Sequence, residues 1–258
     1  MKDTPAIVTY KEPIGEKYVR LKLKVGWDQF VAGQFVMVEI LGHGVFLRRP
    51  FGIVRCENQV LEICFKIVGK GTTSLSKTNV GETLLVLGPL GNGFKPSKDI
   101  ETAILVGGGY GIVPLFPLAR SLMEDQKNVI VYYGAKTASD LLYCTEIRSM
   151  GVRLKLATED GSEGFKGLVT KLLESEVAEA KNAALFSAGP QGLLREVARI
   201  ASSLKIPAQI SLERYMACGT GVCLGCVVKA KDGSFVRACR EGPVFGTQDI
   251  LWDEVIKS

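Results

Sequence analysis

Residues 103–114 read Ala-Ile-Leu-Val-Gly-Gly-Gly-Tyr-Gly-Ile-Val-Pro, and they indicate a strand, a glycine turn and a helix in direct succession. The uninterrupted apolar run at the start is typical of a parallel strand that is buried on both faces. Further apolar runs lie downstream at 129–133, 152–157 and 183–187. Helical patterns follow the runs, ending near 123 and covering 140–150, 169–180 and 191–204. Strands that alternate with helices predict a parallel α/β sheet, which we place at residues 98–207.

Residues 1–97 show the shorter period of half-buried strands. Positions 19–25 alternate strictly between apolar and polar residues, and further strand-like segments lie at 35–40, 60–68 and 83–87. Short strands at this spacing predict a small antiparallel β-barrel. The remaining residues, 208–258, are too few and too rich in glycine for a large core, and a bound metal centre would give them a fixed shape. The expected fold is a β-barrel domain, an α/β domain and a small C-terminal module.

Composition and charge argue against several classes of protein. The chain has 258 residues, of which 47% are hydrophobic and 23% charged, so disorder on a large scale is not expected. A net charge of +5 without a long basic run gives weak support for anionic cofactors and little for nucleic acid. Glycines and prolines interrupt the uncharged stretch 102–119, which argues against a membrane span, and the N-terminus lacks a signal-peptide apolar core. We therefore expect a cytoplasmic protein.

Four of the seven cysteines lie in the last quarter of the chain: Cys218, Cys223, Cys226 and Cys239. Their spacing, C-x4-C-x2-C-x12-C, matches plant-type 2Fe–2S proteins at the first three positions, with a fourth ligand arriving from a distance. Glycines in the loop permit the unusual dihedral angles that wrapping a cluster needs. A structural zinc site is the main alternative, although zinc ribbons usually carry two C-x2-C pairs and this loop carries one. The other cysteines are expected to be small buried hydrophobic residues: Cys56, Cys64 and Cys144.

Three further stretches have the composition of phosphate-binding segments. The pair Arg48–Arg49 can offer charge and hydrogen bonds to a pyrophosphate, and the glycines of Gly69–Thr72 allow close backbone approach. Gly107–Gly111 follows a buried strand and opens a helix, so a diphosphate could lie at that helix N-terminus. Position 112 is isoleucine, so the fingerprint G-x-G-x-x-G is absent. Taken alone, each stretch is also typical of a solvated surface or a tight turn.

The motifs follow one another in a recognisable order: Arg-Pro-Phe-Gly at 49–52, Gly-Lys-Gly-Thr at 69–72, Leu-Gly-Pro-Leu-Gly-Asn-Gly-Phe at 87–94, the glycine turn at 107–111, Ala-Gly-Pro at 188–190 and the four-cysteine loop. This order resembles the ferredoxin–NADP reductase superfamily over nearly the whole chain. The segments that flank the cysteines, at 213–218 and 242–245, are similar to those of the electron transfer subunits of class 1B dihydroorotate dehydrogenases. The resemblance implies an FAD-binding barrel, a nicotinamide-binding α/β domain and a 2Fe–2S module.

The resemblance also implies which residues meet each cofactor. Those expected along the flavin and its diphosphate are Arg49, Pro50, Phe51, Gly52, Phe65, Lys66, Ile67, Gly71 and Thr72. Those expected at the nicotinamide nucleotide are Gly107, Gly108, Gly109 and Gly111. Superfamily members usually have tyrosine and serine where this chain has Phe51 and Gly52, so two hydroxyl groups that would bond the flavin are missing. The four clustered cysteines are the expected ligands, and no residue, including the only histidine, His43, is assigned a catalytic role.

These features predict an electron relay. Flavin exchanges a hydride with NAD(H) and can pass electrons singly, whereas a 2Fe–2S cluster accepts one electron at a time. The resemblance implies a partner subunit that carries FMN and oxidises dihydroorotate, in a heterotetramer that reduces NAD⁺ for pyrimidine biosynthesis. Residues 134–137, after the second strand of the sheet, hold one lysine and no arginine, which favours NAD over NADP.

Three alternatives remain open from the sequence. The chain could serve another complex, such as a sulfide dehydrogenase or a ferredoxin:NADP⁺ transhydrogenase, although the small subunit of the latter looks to replace one cysteine ligand with aspartate. A stand-alone oxygenase reductase is the second alternative. A non-catalytic module that senses redox state is the third, and the flavin and nicotinamide motifs argue against it.

Overall fold

The computed structural model describes residues 3–40, 44–177 and 182–252, and His43 lies outside these ranges. The strands of its N-terminal part are β1 (Asp3–Ile14), β2 (Tyr18–Lys24), β3 (Phe35–Glu39), β4 (Arg49–Glu57), β5 (Val60–Lys66) and β6 (Thr83–Leu90). They close into an antiparallel barrel in the order β1-β2-β5-β4-β3-β6. Helix α1 (Lys70–Lys77) lies between β5 and β6 in the chain. The predicted barrel is therefore confirmed.

Alternation along the strands builds the interior of the barrel. Val19, Leu21 and Leu23 of β2 are no more than 4% exposed, while the lysines between and after them reach the surface. Strands β4 and β5 are joined by Asn58 and Gln59, whose φ angles are +52° and +62°. Two successive left-handed residues give a hairpin whose twist suits the flanking strands.

The second unit is an α/β sheet. Its strands are β7 (Thr102–Gly108), β8 (Asn128–Ala135), β9 (Arg153–Thr158), β10 (Phe165–Lys166), β11 (Ala183–Ala188), β12 (Ala208–Ser211) and β15 (Val244–Gly246). Their order is β10-β9-β8-β7-β11-β12-β15, and every pairing is parallel except the last. The helices are α2 (Ile112–Glu124), α3 (Cys144–Ser149), α4 (Val169–Glu176) and α5 (Gln191–Leu204). The predicted parallel α/β unit is confirmed.

Two helices are shorter than their sequence patterns suggest. The pattern predicts a helix over 169–180, but α4 ends at Glu176 and the next residue, Val177, is extended, while 178–180 lie outside the described residues. The pattern predicts a helix over 140–150, but α3 begins only at Cys144. Tyr143, just before it, has a left-handed backbone with φ of +57°, which interrupts a right-handed helix. Among the described residues, no helix combines the length and the apolar character that crossing a membrane requires.

The C-terminal segment is bound to both larger units. Strands β12 and β15 extend the α/β sheet, and β13 (Val227–Lys229) pairs with β14 (Phe235–Arg237) in a separate hairpin. The Asn92 amide after β6 donates to the carbonyl oxygens of Arg240 and Glu241 at 3.0 Å. The residues after 207 therefore share a sheet with the α/β unit, and the division into three domains stays a prediction.

Buried polar contacts join the barrel to the α/β unit. The hydroxyl of Tyr143 donates to Oε1 of Glu62 at 3.0 Å, and Glu62 is only 4% exposed. The hydroxyl of Tyr18 donates to Oδ1 of Asp140, also at 3.0 Å. Buried polar groups are costly without partners, so these bonds favour one relative orientation of the two units.

Candidate functional site

The four clustered cysteines come together on the outer wall of the barrel. Cys226 and Cys239 are buried in an apolar cluster that includes Phe35 of β3, and their side chains lie next to each other. The N–H of Cys223 donates to Sγ of Cys218 at 3.4 Å. The structure thus brings the predicted ligands into one loop system, with Cys223 exposed and its neighbours partly or fully covered.

Glycines shape this loop. Gly219 and Gly221 have φ angles of +70° and +88°, a region that side chains other than glycine adopt at a cost. A Cβ at Gly219 would also collide with Met37, whose side chain points out of the barrel from β3. The sequence pattern C-G-T-G-V-C therefore serves both the curl of the loop and its close approach to the barrel.

Backbone donors favour a thiolate at the first cysteine. Partial burial opposes ionisation of Cys218, but the N–H groups of Cys223 and Thr220, each 3.4 Å from its sulfur, outweigh burial and lower the pKa of Cys218 to about 5. Burial, followed by the contact with Cys226, raises the pKa of Cys239. Metal coordination deprotonates such thiols, because the thiolate is the ligand.

The donor set fits an iron–sulfur cluster. Within residues 3–40, 44–177 and 182–252, no three His, Cys, Asp or Glu side chains converge closely enough to hold a single metal ion. A binuclear cluster instead divides four thiolates between two irons. The contacts of Cys218 with Cys223 and of Cys226 with Cys239 provide two such pairs, with backbone N–H groups directed at sulfur.

The two adjacent arginines have different surroundings. Arg48 forms ion pairs with Asp3 and Glu39, the latter at 2.7 Å. Arg49 instead donates to the carbonyl oxygens of residues 47 and 48, and its guanidinium lies over Gly71 in the first turn of α1. A Cβ at Gly71 would stand 2.6 Å from Nε of Arg49. The first N–H groups of α1 have no partner within the helix, so the positive charge of Arg49 and free backbone donors lie together at this helix end, as an anion-binding site requires.

The other predicted flavin residues divide between two faces of the barrel. Phe51 and Phe65 point inward, with ring centroids 5.4 Å apart in the barrel core, so only their backbone can meet a ligand. Pro50 and Gly52 alternate with Phe51 on the outward face, where Gly52 allows Val113 of α2 to approach.

Three predicted flavin residues follow at the end of β5 and the start of α1. Lys66 lines the cleft between the two units, and Ile67 packs against the barrel core. The Thr72 hydroxyl is occupied internally, since it accepts from the N–H groups of Val68 at 2.9 Å and Gly69 at 3.2 Å. Thr72 can therefore offer a ligand its backbone N–H more readily than its hydroxyl.

A cleft of about 850 Å³ separates the barrel from the carboxyl edge of the parallel strands. Ligand sites in α/β proteins prefer this edge, and the volume is that of a small-molecule site. The predicted Gly108, Gly109 and Gly111 line the cleft, whereas Gly107 is buried within β7 against Ile112. The N-terminal turns of α4 and α5 also reach the cleft and direct backbone donors toward it.

Two glycines are required by packing as well as by any ligand. A Cβ at Gly111 would collide with the carbonyl oxygen of Ala188, and a Cβ at Gly108 would lie 2.9 Å from Cδ of Pro190. The turns after β7 and β11 therefore touch through glycine. This contact gives the cleft a floor made of main chain.

Sequence reasoning used Lys136 to weigh NAD against NADP but missed Glu159 and Glu213 among the charged residues of the cleft. Glu159 follows β9 and Lys136 follows β8, and no hydrogen bond or ion pair of either side chain occurs among the described residues. The N–H of Glu159 donates to the Ala135 oxygen at 3.1 Å, so the two segments are adjacent. Glu213, just before the cysteine loop, faces the same cleft. An acidic residue at the end of a parallel strand was the available signal for Glu159.

We expect Glu213→Gln to raise the unfolding temperature slightly at neutral pH, because solvent in the open cleft screens most of the charge of this exposed side chain. The side chain of Glu213 is exposed to the open cleft, but the protein atoms that surround the cleft raise its pKa, so the folded chain holds this proton more tightly than the unfolded chain. Its contribution to stability is present at low pH and is lost as pH rises through the raised pKa. The increase in the unfolding temperature of the variant should therefore vanish below the ordinary pKa of glutamate. Thermal unfolding from pH 3.5 to 8 checks this, with the exposed Glu16→Gln as control, and a pH-independent difference would contradict it.

Two family models match the chain. The iron-sulfur cluster binding domain of dihydroorotate dehydrogenase B matches residues 213–251, and an oxidoreductase NAD-binding domain matches residues 105–199. Among solved structures, an NADH-dependent reduced ferredoxin-NADP oxidoreductase studied for flavin-based electron bifurcation is 30% identical, with a TM-score of 0.87, covering 98% of this chain and 91% of that one. A ferredoxin reductase in carbazole 1,9a-dioxygenase, 21% identical with a TM-score of 0.71 over 80% of this chain and 66% of that one, shares the fold.

Curated relatives agree with the first of these models. The dihydroorotate dehydrogenase B (NAD(+)) electron transfer subunit of Caldanaerobacter subterraneus subsp. tengcongensis is 34% identical over 223 residues, which cover 85% of this chain and 87% of the relative. The probable subunit of the same name from Methanopyrus kandleri is 32% identical over 97% of this chain and 92% of the relative. The chain therefore belongs to the family of dihydroorotate dehydrogenase B electron transfer subunits.

Proposed function

We propose that the chain passes electrons between NAD(H), FAD and a 2Fe–2S cluster, and that it couples dihydroorotate oxidation on an FMN-containing partner subunit to NAD⁺ reduction in pyrimidine biosynthesis. The observation that carries this proposal is the contact between the cysteine loop and β3. Phe35 of β3 pairs with Gly52 of the flavin segment and shares an apolar cluster with Cys226 and Cys239. The two proposed redox sites therefore adjoin.

The chain's own residues bind and orient in this proposal. Arg49 and the first turn of α1 hold the diphosphate of FAD, and the main chain of Pro50–Gly52 meets its ring system. The glycine turn after β7 and the N-termini of α4 and α5 hold the nicotinamide nucleotide. Cys218, Cys223, Cys226 and Cys239 are the cluster ligands. When bound, the flavin exchanges hydride with NAD(H) and single electrons with the cluster.

The partner is proposed from the family. Relatives are named as subunits, which implies a catalytic partner, and we expect a heterotetramer with an FMN protein that oxidises dihydroorotate. We place the complex in the cytoplasm, because clustered thiols that bind metal suit a reducing compartment.

Co-purification tests the proposal. The tagged chain, produced in its native host, should elute with an FMN protein, and the complex should reduce NAD⁺ with dihydroorotate. The chain alone should reduce a dye with NADH. Dye reduction without any dihydroorotate-oxidising partner would contradict the specific assignment and leave an NADH-linked reductase.

A second function is favoured by one comparison. The similarity to the NADH-dependent reduced ferredoxin-NADP oxidoreductase covers 98% of this chain. If the chain served such a complex, it would co-purify with a partner that uses ferredoxin and NADP. The proposed set of four cysteine ligands argues against that complex, for which the resemblance implies three cysteines and an aspartate.

We propose that Glu159 sets the preference for NAD over NADP and that Lys136 opposes it, and Glu159→Gln tests this. A carboxylate at the end of a strand accepts hydrogen bonds from a ribose 2′-hydroxyl and repels a 2′-phosphate, whereas Lys136 attracts the phosphate. Charged hydrogen bonds contribute about 1.5–3 kcal/mol, so the preference should fall about tenfold to a hundredfold. Calorimetry with ADP-ribose and 2′-phospho-ADP-ribose measures it. The control is Glu196→Gln, a cleft residue paired with Arg199, and an unchanged ratio in Glu159→Gln would contradict the assignment.

A further inference from the structure

A fixed ion pair adjoins the cysteine loop. Arg237, the last residue of β14, precedes Cys239 by two positions, and Glu241 follows it by two. Nε and Nη2 of Arg237 donate to Oε2 and Oε1 of Glu241 at 2.9 and 2.5 Å, and the backbone N–H of Arg237 also donates to Oε2 at 2.8 Å. A bidentate hydrogen bond of this kind holds the guanidinium in one orientation.

The remaining arm of the guanidinium reaches the loop that carries the first three cysteines. Nη1 of Arg237 donates to the carbonyl oxygen of Gly221 at 3.1 Å. The backbone of Gly221 lies near the sulfur of Cys239. A Cβ at Gly221 would stand 3.0 Å from Cδ of Arg240 and 3.4 Å from Nη1 of Arg237, so the absence of a side chain there permits the contact. Arg237 thus connects the loop to the segment that supplies the fourth thiol.

The positive charge of this pair lies close to the sulfurs. The bond to Glu241 is the main cause that raises the pKa of Arg237, and Cys239 and Cys226 are close enough to the guanidinium to contribute as well. The bond to Arg237 in turn lowers the pKa of Glu241 to about 2, so the carboxylate is ionised at neutral pH. The cysteines therefore face a guanidinium whose charge is offset by a carboxylate bound to its other edge.

From this geometry we propose that Arg237 and Glu241 are positioning residues that set the reduction potential of the cluster. The inference rests on the proposed 2Fe–2S site. Reduction adds one electron to a cluster, and its potential depends on nearby charge and on hydrogen bonds to sulfur. Arg237 favours the added negative charge and holds Gly221 toward Cys239. Glu241 fixes Arg237 and offsets part of its charge.

Redox titration of the purified chain, followed by electron paramagnetic resonance with dithionite as reductant, tests the proposal. Arg237→Gln removes the positive charge and leaves the carboxylate, so the reduction potential of the cluster should fall. Glu241→Gln removes the negative charge that offsets the guanidinium, so the reduction potential of the cluster should rise. Each change should alter the reduction equilibrium by about threefold to tenfold, and tenfold corresponds to about 59 mV for one electron. Loss of local structure alone does not predict opposite signs.

Further variants complete the test. Arg237→Lys keeps the positive charge without the bidentate hydrogen bond, so its cluster should have a reduction potential closer to that of the wild type than the cluster of Arg237→Gln. The matched control is Arg148→Gln, which breaks an exposed pair with Glu163 and should leave the potential unchanged. Equal potentials, or shifts of the same sign in Arg237→Gln and Glu241→Gln, would overturn the inference. If Arg237→Gln holds no cluster, Glu241→Gln and Arg237→Lys decide it. A colourless wild type would overturn the 2Fe–2S site itself.

Discussion

Cys226→Ser is expected to remove the visible absorbance of the cluster and to stop electron delivery to the partner. Cys226 is a buried ligand candidate, and serine would place a hydroxyl against Cys239 inside an apolar cluster. Mutation of groups that merely support a metal ligand typically costs 10–100-fold, so loss of the ligand itself should cost more than about 100-fold in turnover with dihydroorotate. NADH-dependent dye reduction should persist, because the flavin and nicotinamide segments are untouched.

Cys144→Ser is the matched control for this prediction. Cys144 begins α3, is half-buried and lies apart from the cysteine loop, so its variant should keep the full spectrum and full turnover. Iron content, absorbance and the two activities should be measured on the same preparations. Retention of the cluster in Cys226→Ser would remove Cys226 from the ligand set. Equal loss of both activities would indicate that the variant disturbs the barrel rather than the cluster alone.

Arg49→Ala is expected to weaken FAD binding by about tenfold to more than a hundredfold. The guanidinium has no carboxylate partner among the described residues, and it lies over the first turn of α1, where unpaired backbone donors gather. Charged hydrogen bonds contribute about 1.5–3 kcal/mol, and every 1.4 kcal/mol is about tenfold in affinity. Flavin content after gel filtration and fluorescence titration of the stripped protein with FAD measure the effect.

The neighbouring arginine provides the control. Arg48→Ala breaks ion pairs with Asp3 and Glu39 at the barrel surface, and exposed pairs contribute at most about 1 kcal/mol to stability. Its FAD affinity should match the wild type. If Arg48→Ala lost flavin and Arg49→Ala retained it, the assignment of the diphosphate site would be wrong.

Local patterns predicted the parts of the fold that depend on periodicity. The helix expected at 191–204 is found as α5, and the alternation at 19–25 is found as β2. Strands β1 and β4 lack a clear pattern, because both contain proline and β4 also contains glycine. Pairing within a closed barrel stabilises them against weak strand propensity.

The candidate site could be predicted where its residues are close in sequence. The cysteine spacing is local, and the structure brings those thiols together. Arg48 and Arg49 could not be told apart, because the acids that bind Arg48 come from β1 and β3. The role of Arg237 could not be predicted either, because its contact with Gly221 spans 16 positions of the sequence. Roles that depend on distant segments become visible only in the folded chain.

Strand β3 bears on how fast electrons can cross the molecule. Its Phe35 pairs with Gly52 on the proposed flavin side and contributes to the apolar cluster around Cys226 and Cys239. Electron tunnelling weakens steeply with distance, and a strand bonded on both edges into a closed barrel keeps that distance constant. Nicotinamide nucleotides can then enter and leave the cleft while the tunnelling gap between flavin and cluster stays unchanged.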